Sequence, residues 1–211
     1  MTVIVHHLNN SRSQRILWLL EYLEIDYEIK HYQRDPITQQ APLSLAQVHP
    51  LGKSPVITHD GIVVAETGAI IEYLIDNFRK VDLTPKTKEN NLQYKYWLHF
   101  AEGSAMTDLL VSLFTRGFKT PERDALMDRV VKPHLKNIFG FIENHLKDKE
   151  WFAGDFSGAD IAMSFPIEAF LTGKIVDVET ANMEKWLKKV HAMKSYQTAL
   201  EKGGPYIYAK Q

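Results

Sequence analysis

The stretch from His49 to Leu74, HPLGKSPVITHDGIVVAETGAIIEYL, carries the strongest local signals in the chain. Asp60 and Gly61 separate two runs rich in β-branched residues, and Asp-Gly between such runs is typical of a two-residue type I′ hairpin. Apolar residues then recur at helical spacing, which predicts a helix over residues 66 to 79. We therefore expect this stretch to fold as two antiparallel strands followed by a helix.

The preceding residues predict one more unit of the same sheet. Residues 3 to 5 are a short β-branched run, residues 12 to 24 have helical apolar spacing, and residues 27 to 32 alternate apolar and charged side chains. Two parallel strands need a crossover, so this order predicts a β-α-β unit. Together with the hairpin and its helix, this unit predicts a four-stranded mixed sheet with helices packed against the sheet.

Strand signals largely disappear beyond residue 80. Residues 81 to 87, VDLTPKT, have the composition of a linker, and the remainder has helical periodicity. The predicted helices cover residues 88 to 116, 122 to 148 (with a kink at Pro133), 158 to 171, 180 to 192 and 195 to 202. The expected organisation is an α/β domain over residues 1–80, a linker, and an all-helical domain over residues 88–211.

Composition excludes several classes of function. With 25 Lys and Arg against 26 Asp and Glu, the net charge of −1 provides no basic field for nucleic acid or an anionic membrane. No cysteine is present, so disulfides, a cysteine nucleophile and thiolate metal sites are ruled out. The nine histidines lack metal-ligand spacing, so no metal is expected, and there is no secretion signal or apolar run of membrane-spanning length.

Three polar features have both a structural and a functional interpretation. Pro55 precedes a strand, and since cis X-Pro bonds are a small minority, the residues alone favour a trans bond. Glu66 and Thr67 open a helix, where they can cap its N–H groups or leave those groups to bind a ligand carboxylate. Ser11 lies between the first strand and the first helix, where it can cap the helix or donate its hydroxyl to a substrate thiolate.

The order of these pieces resembles the glutathione transferase family over the whole chain. The resemblance is carried by HPLGKSPVI, AETGAIIEYL, YWLHFAEGSAMTDLL and FSGADIAMSF, the last being similar to a capping motif of the family. In that motif, Ser157 and Asp160 form a capping box with Asp in place of the usual Glu or Gln. The match is nearest to fungal and bacterial members. The resemblance implies a thioredoxin-like first domain, glutathione as co-substrate, a homodimer and a cytoplasmic location.

The resemblance also implies roles in glutathione binding. Pro55 matches the family's cis-proline, and the backbone of Ser54 would pair with the cysteinyl part of glutathione. Glu66 and Thr67 match the pair that holds the γ-glutamyl group. Lys53 matches a contact near the glycyl carboxylate, a task that its charge suits.

Ser11 matches the serine of the serine-type classes, so the resemblance implies that it activates the glutathione thiol. The chain departs from the family pattern at two nearby positions, with His7 where tyrosine-type classes carry their tyrosine and Ser13 where serine-type classes often carry a proline. Asn10 and Arg34 are therefore kept as alternative contacts to the sulfur.

The expected reaction is attack of the glutathione thiolate on an electrophilic small molecule or on an organic peroxide. Apolar residues of the helical half are candidates for the electrophile pocket, with ordinary core packing as the alternative for each of them: Tyr96, Trp97, Phe100, Met106 and Phe114.

Two other functions are compatible with such a fold. The first is a non-catalytic binding or interaction protein, because a fold does not determine its function. The second is a glutathione-dependent thiol oxidoreductase, whose chemistry usually needs a cysteine at the start of the first helix; the absence of cysteine argues against it.

Overall fold

A mixed four-stranded sheet organises the first part of the chain in the computed structural model, which describes residues 2–79 and 81–209. The strands, in chain order, are β1 (Val3–Leu8), β2 (Tyr27–Tyr32), β3 (Val56–His59) and β4 (Ile62–Ala65). They lie in the order β2-β1-β3-β4, with β1 parallel to β2 and antiparallel to β3, and β3 antiparallel to β4. The predicted fold class is confirmed.

The hairpin between β3 and β4 has the predicted two-residue turn. Asp60 and Gly61 have φ values of 50° and 76°, which are the positive angles that a type I′ turn requires. This turn sets the register, in which His59 is opposite Ile62 and Thr58 is opposite Val63.

Three helices accompany the sheet: α1 (Gln14–Tyr22), α2 (Leu43–Ala46) and α3 (Thr67–Phe78). The apolar residues of α1 and α3 at helical spacing are buried, as the sequence pattern predicted. The short α2 was not predicted, because four residues carry no measurable periodicity. Its Leu45 is buried with Leu8 and Tyr32, so α2 covers one end of the sheet.

The remaining helices largely match the predicted ones. They are α4 (Lys88–Phe100), α5 (Met106–Thr115), α6 (Pro121–Leu126), α7 (Lys132–Leu146), α8 (Gly158–Gly173), α9 (Ala181–His191) and α10 (Lys194–Gly203). Each of the two long predicted helices is divided by a π-helical turn, at Ala101–Ala105 and at Met127–Val131. Pro133 lies in the first turn of α7 and does not end the helix.

The chain divides into two compact units that differ from the sequence-based boundaries at the C-terminus. One unit is Met1–Thr84 with Val190–Gln211, and the other is Pro85–Lys189. The last segment belongs to the first unit because α10 packs on α1. There, Gln14 Nε2 donates to the Ala199 carbonyl at 2.9 Å, and Trp18 Nε1 donates to Ser195 Oγ at 3.2 Å.

The second unit is held by a buried capping box at the start of α8. Asp160 accepts hydrogen bonds from the backbone N–H groups of Phe152 and Ser157, each at 3.0 Å, and from Ser157 Oγ at 3.2 Å. The capping box predicted from the sequence is confirmed. None of the helices within residues 2–79 and 81–209 has both the length and the apolar character that a membrane crossing requires.

Candidate functional site

Ser11 lies in the turn that joins β1 to α1, and it is almost fully buried. Helix α1 begins at Gln14, so its N-cap is Ser13. The expectation that Ser11 could cap this helix is therefore wrong by two positions. Ser11 Oγ accepts a local hydrogen bond from Ser13 N–H at 3.3 Å, which leaves the Ser11 hydroxyl proton for other partners.

The Ser11 hydroxyl connects this turn to the loop before β3. Ser11 Oγ lies 2.8 Å from Ser13 Oγ and 3.5 Å from Ser54 Oγ. Ser54 Oγ in turn donates to the His6 carbonyl at 3.0 Å. The bond between Ser54 and Pro55 is cis, which confirms the expectation drawn from the family resemblance and not the one drawn from frequency.

The start of α3 presents an acid that does not cap the helix. Glu66 is at the N-cap position with φ 72°, and its exposed side chain makes no capping hydrogen bond. The capping interpretation of Glu66 is therefore wrong. A non-glycine residue in this region of φ carries backbone strain, and such residues cluster at ligand sites. The first-turn N–H groups and an exposed carboxylate thus stand together where a zwitterionic ligand group can bind.

Thr67 is buried beside Glu66, and an arginine of α1 holds its side chain. Arg15 Nη2 donates to Thr67 Oγ1 at 3.2 Å, so the threonine keeps its own hydroxyl proton to donate. The arginine is itself buried at 2% exposure. This contact joins the start of α3 to α1, as the Ser11–Ser54 contact joins the β1–α1 turn to the loop before β3.

Asn10 and Arg34, the two alternative contacts to the sulfur, both make hydrogen bonds to backbone groups. The Asn10 side-chain oxygen accepts from Ile207 N–H at 3.0 Å. Arg34 donates through Nε to the Asn9 carbonyl at 3.2 Å and through Nη1 to the Gln39 carbonyl at 3.0 Å. Burial, followed by the charge of Arg12, lowers the pKa of Arg34, while Tyr208 opposes the shift. A contact between either residue and a bound sulfur stays a prediction.

The five residues proposed for the electrophile pocket differ in exposure. Trp97 and Met106 are buried in the second unit, where Trp97 packs against the rings of Phe152 and His145 at centroid distances of 4.8 Å and 4.5 Å. For these two residues the structure supports the core-packing alternative. Tyr96 and Phe114 are 45% and 72% exposed, and Phe100 is half-buried. Lys53, at the other proposed subsite, is exposed.

A pair of buried polar residues behind Ser11 was not assigned a role from the sequence. Ser13 Oγ lies 2.8 Å from His7 Nδ1 as well as 2.8 Å from Ser11 Oγ. Burial, followed by the charge of His31, lowers the pKa of His7 to about 4, and a hydrogen bond with the Gly203 backbone partly offsets this. One sign of this pair was present in the sequence: His7 and Ser13, six residues apart, both differ from the residues that the family usually has at these positions.

Within residues 2–79 and 81–209, no group of three or more metal-ligating side chains is arranged to hold a metal ion. The candidate site consists of hydroxyl, carboxylate and guanidinium groups together with the N-terminus of α3.

Comparison with known proteins identifies the family. The model described as "Glutathione S-transferase, N-terminal domain" matches residues 1–76, and "Glutathione S-transferase, C-terminal domain" matches residues 104–193. Glutathione S-transferase 3 of Schizosaccharomyces pombe is 35% identical, covering 95% of this chain and 87% of the relative. Glutathione S-transferase 1 of Saccharomyces cerevisiae is 31% identical, covering 94% of each.

A solved structure agrees with this assignment along the whole chain. The crystal structure of a glutathione S-transferase from Actinobacillus pleuropneumoniae superimposes with a TM-score of 0.88 at 31% identity, covering 100% of this chain and 97% of the other. The sheet order, the cis Ser54–Pro55 bond and the helical second unit fit the same family. This chain therefore belongs to the glutathione S-transferase family.

Proposed function

We propose that this glutathione transferase binds glutathione in its first unit, extended between the start of α3 and the loop before β3. The γ-glutamyl carboxylate would meet the first-turn N–H groups of α3 and the Thr67 hydroxyl, and its ammonium would meet Glu66. The Ser54 backbone would pair with the cysteinyl residue, and Lys53 would meet the glycyl carboxylate. The exposed, non-capping carboxylate of Glu66 supports the first of these assignments.

We propose Ser11 as the group that stabilises the glutathione thiolate. A thiol of pKa ~8.5 needs about 2.7 kcal/mol of preferential thiolate stabilisation for its pKa to fall by ~2 units. A hydrogen bond to a charged group contributes ~1.5–3 kcal/mol, so one well-placed hydroxyl supplies a large part of that energy. The observation that carries the proposal is the position of Ser11 Oγ, 3.5 Å from the hydroxyl of Ser54, the residue expected to pair with the cysteinyl group.

The thiolate would attack an electrophilic carbon or the oxygen of an organic peroxide. In the second unit, the exposed rings of Tyr96 and Phe114 and the half-buried ring of Phe100 remain candidates for contact with an apolar electrophile. A homodimer and a cytoplasmic location are further proposals that rest on the family resemblance. The non-catalytic alternative predicts glutathione binding without turnover of an activated aryl halide or of an organic hydroperoxide.

Glu66→Ala is expected to weaken glutathione binding by about tenfold or more from a micromolar-to-millimolar starting value. The reason is the loss of a charged contact to the ligand ammonium, for which ~1.5–3 kcal/mol corresponds to at least a tenfold change in affinity. Isothermal titration calorimetry with glutathione measures the effect. Asp76→Ala is the matched control, since Asp76 is an exposed acid on the same helix. Equal affinities in wild type and Glu66→Ala would remove Glu66 from the site.

A further inference from the structure

Three buried side chains form a continuous chain of hydrogen bonds behind the proposed sulfur position. Ser11, Ser13 and His7 are 4%, 0% and 3% exposed, so solvent does not compete for their polar atoms. Ser11 Oγ lies 2.8 Å from Ser13 Oγ, which lies 2.8 Å from His7 Nδ1. We refer to these three residues as the hydroxyl relay. Each hydroxyl has one proton, so the direction of the relay decides where the Ser11 proton points.

The histidine end of the relay sets that direction. His7 also has a hydrogen bond with the Gly203 backbone, and this bond raises its pKa, as a bond from a ring N–H to a carbonyl oxygen does. Because Nδ1 faces Ser13 at 2.8 Å, Nε2 is the nitrogen left for Gly203, and the tautomer with its N–H on Nε2 and Nδ1 as the acceptor satisfies both contacts. Burial lowers the pKa of His7 to about 4, so the ring is neutral at neutral pH and has one N–H to donate.

The position of the Gly203 carbonyl is itself fixed by close packing. A Cβ at Gly203 would lie 2.5 Å from Gln14 Oε1 and 2.9 Å from Leu17 Cδ1, so Gly203 lies close against these two side chains of α1. The neighbouring bond from Gln14 Nε2 to the Ala199 carbonyl, at 2.9 Å, holds the same part of α10. The end of α10 is thereby held against α1.

The direction follows along the relay from His7. Ser13 donates its proton to His7 Nδ1, because in this tautomer Nδ1 has no proton and the 2.8 Å contact needs one from the serine hydroxyl. Ser13 then has no proton for Ser11, so Ser11 donates to Ser13 at 2.8 Å in preference to Ser54 at 3.5 Å. In this state Ser11 presents lone pairs, and no proton, to a ligand sulfur.

We propose that Ser13 and His7 are positioning residues that compete with the glutathione thiolate for the Ser11 hydroxyl proton. This inference rests on the proposed role of Ser11 as the thiolate donor. To donate to the sulfur, Ser11 must turn its proton away from Ser13, and the loss of that hydrogen bond opposes thiolate formation. His7 acts indirectly. It accepts the hydrogen bond from the Ser13 hydroxyl, so Ser13 can serve only as an acceptor for Ser11.

The test is the pKa of bound glutathione, followed by thiolate absorbance against pH in wild type and in variants. Ser13→Ala removes the competing acceptor and is expected to lower the bound-thiol pKa by about half a unit to one unit, the equivalent of one ordinary hydrogen bond. General damage to the site would weaken thiolate stabilisation and move the pKa the other way. Ser13→Gly is a second variant that also removes the hydroxyl, for use if the alanine variant does not fold.

Two further variants separate the possible outcomes. His7→Leu removes the acceptor of the Ser13 proton, so Ser13 can donate to Ser11, and the bound-thiol pKa should fall as it does in the Ser13 variants; an unchanged pKa would remove His7 from the relay. If the Ser13 variants raise the pKa or leave it unchanged while Ser11→Ala raises it, the competition is overturned and the donor role of Ser11 stands. If Ser11→Ala leaves the pKa unchanged, the proposed function of Ser11 fails, and the competition with it.

Discussion

Asp160→Ala is expected to lower the free energy of unfolding by about 3 kcal/mol or more. The carboxylate accepts three hydrogen bonds in a fully buried position, from the N–H groups of Phe152 and Ser157 and from Ser157 Oγ. Alanine would leave two buried backbone N–H groups without acceptors, and each such group costs ~1–3 kcal/mol. Urea denaturation at pH 8 measures the change with the carboxyl ionised, since burial raises the pKa of Asp160 to about 7 against these hydrogen bonds.

Two comparison variants make this expectation specific. Ser157→Ala removes one side-chain donor and a cap, and it should cost about 1 kcal/mol. Asp148→Ala removes an exposed acid, and it should stay within about 0.5 kcal/mol of wild type. A loss at Asp160 no larger than at Ser157 would show that the carboxylate does not hold the start of α8.

The second large effect concerns acid sensitivity. His7 has its pKa lowered from 6.5 to about 4 in the folded state, so between these values the unfolded chain binds a proton that the folded chain does not. The contribution of His7 to the free energy of unfolding is therefore fully present above pH 6.5, and it is lost as the pH falls toward 4. The shift corresponds to about 3 kcal/mol, so on acidification from pH 7 to pH 4 the wild type should lose about 3 kcal/mol more than His7→Gln.

The difference between the two proteins isolates His7 from the other titrating groups, which are common to both. Free energies of unfolding at pH 7 and pH 4 provide the measurement, and His99→Gln serves as the control because His99 is exposed. Parallel loss of stability in wild type and His7→Gln would mean that His7 is not held neutral in the folded protein.

Much of the fold is local in origin, and this is why it could be predicted. Asp60 and Gly61 determine a turn within four residues, and the apolar spacing of α1 and α3 predicts their buried faces. The capping box is likewise local, because Ser157 and Asp160 lie within one turn of the same helix. The Lys53–Pro55 and Glu66–Thr67 segments became interpretable only through their order along the chain, which is what the family resemblance supplied.

What could not be predicted depends on contacts between distant residues. The pairing of α10 with α1, and hence the place of Gly203 beside Gln14, joins segments about 190 residues apart and leaves no periodic signal. The burial of Trp97 depends on rings from other helices of the second unit. The link from Ser11 through Ser13 to His7 is close in sequence, but it depends on the turn over residues 9 to 13, whose geometry the sequence does not specify.

The pKa of bound glutathione in Ser11→Ala decides whether the Ser11 hydroxyl stabilises the glutathione thiolate. Thiolate absorbance of the bound ligand, titrated against pH in wild type, Ser11→Ala and Arg34→Ala, provides the value. We expect the bound-thiol pKa to rise by about 1 unit or more in Ser11→Ala, since a charged hydrogen bond of ~1.5–3 kcal/mol is lost. An unchanged pKa in Ser11→Ala together with a raised pKa in Arg34→Ala would contradict it and assign the activation to the arginine.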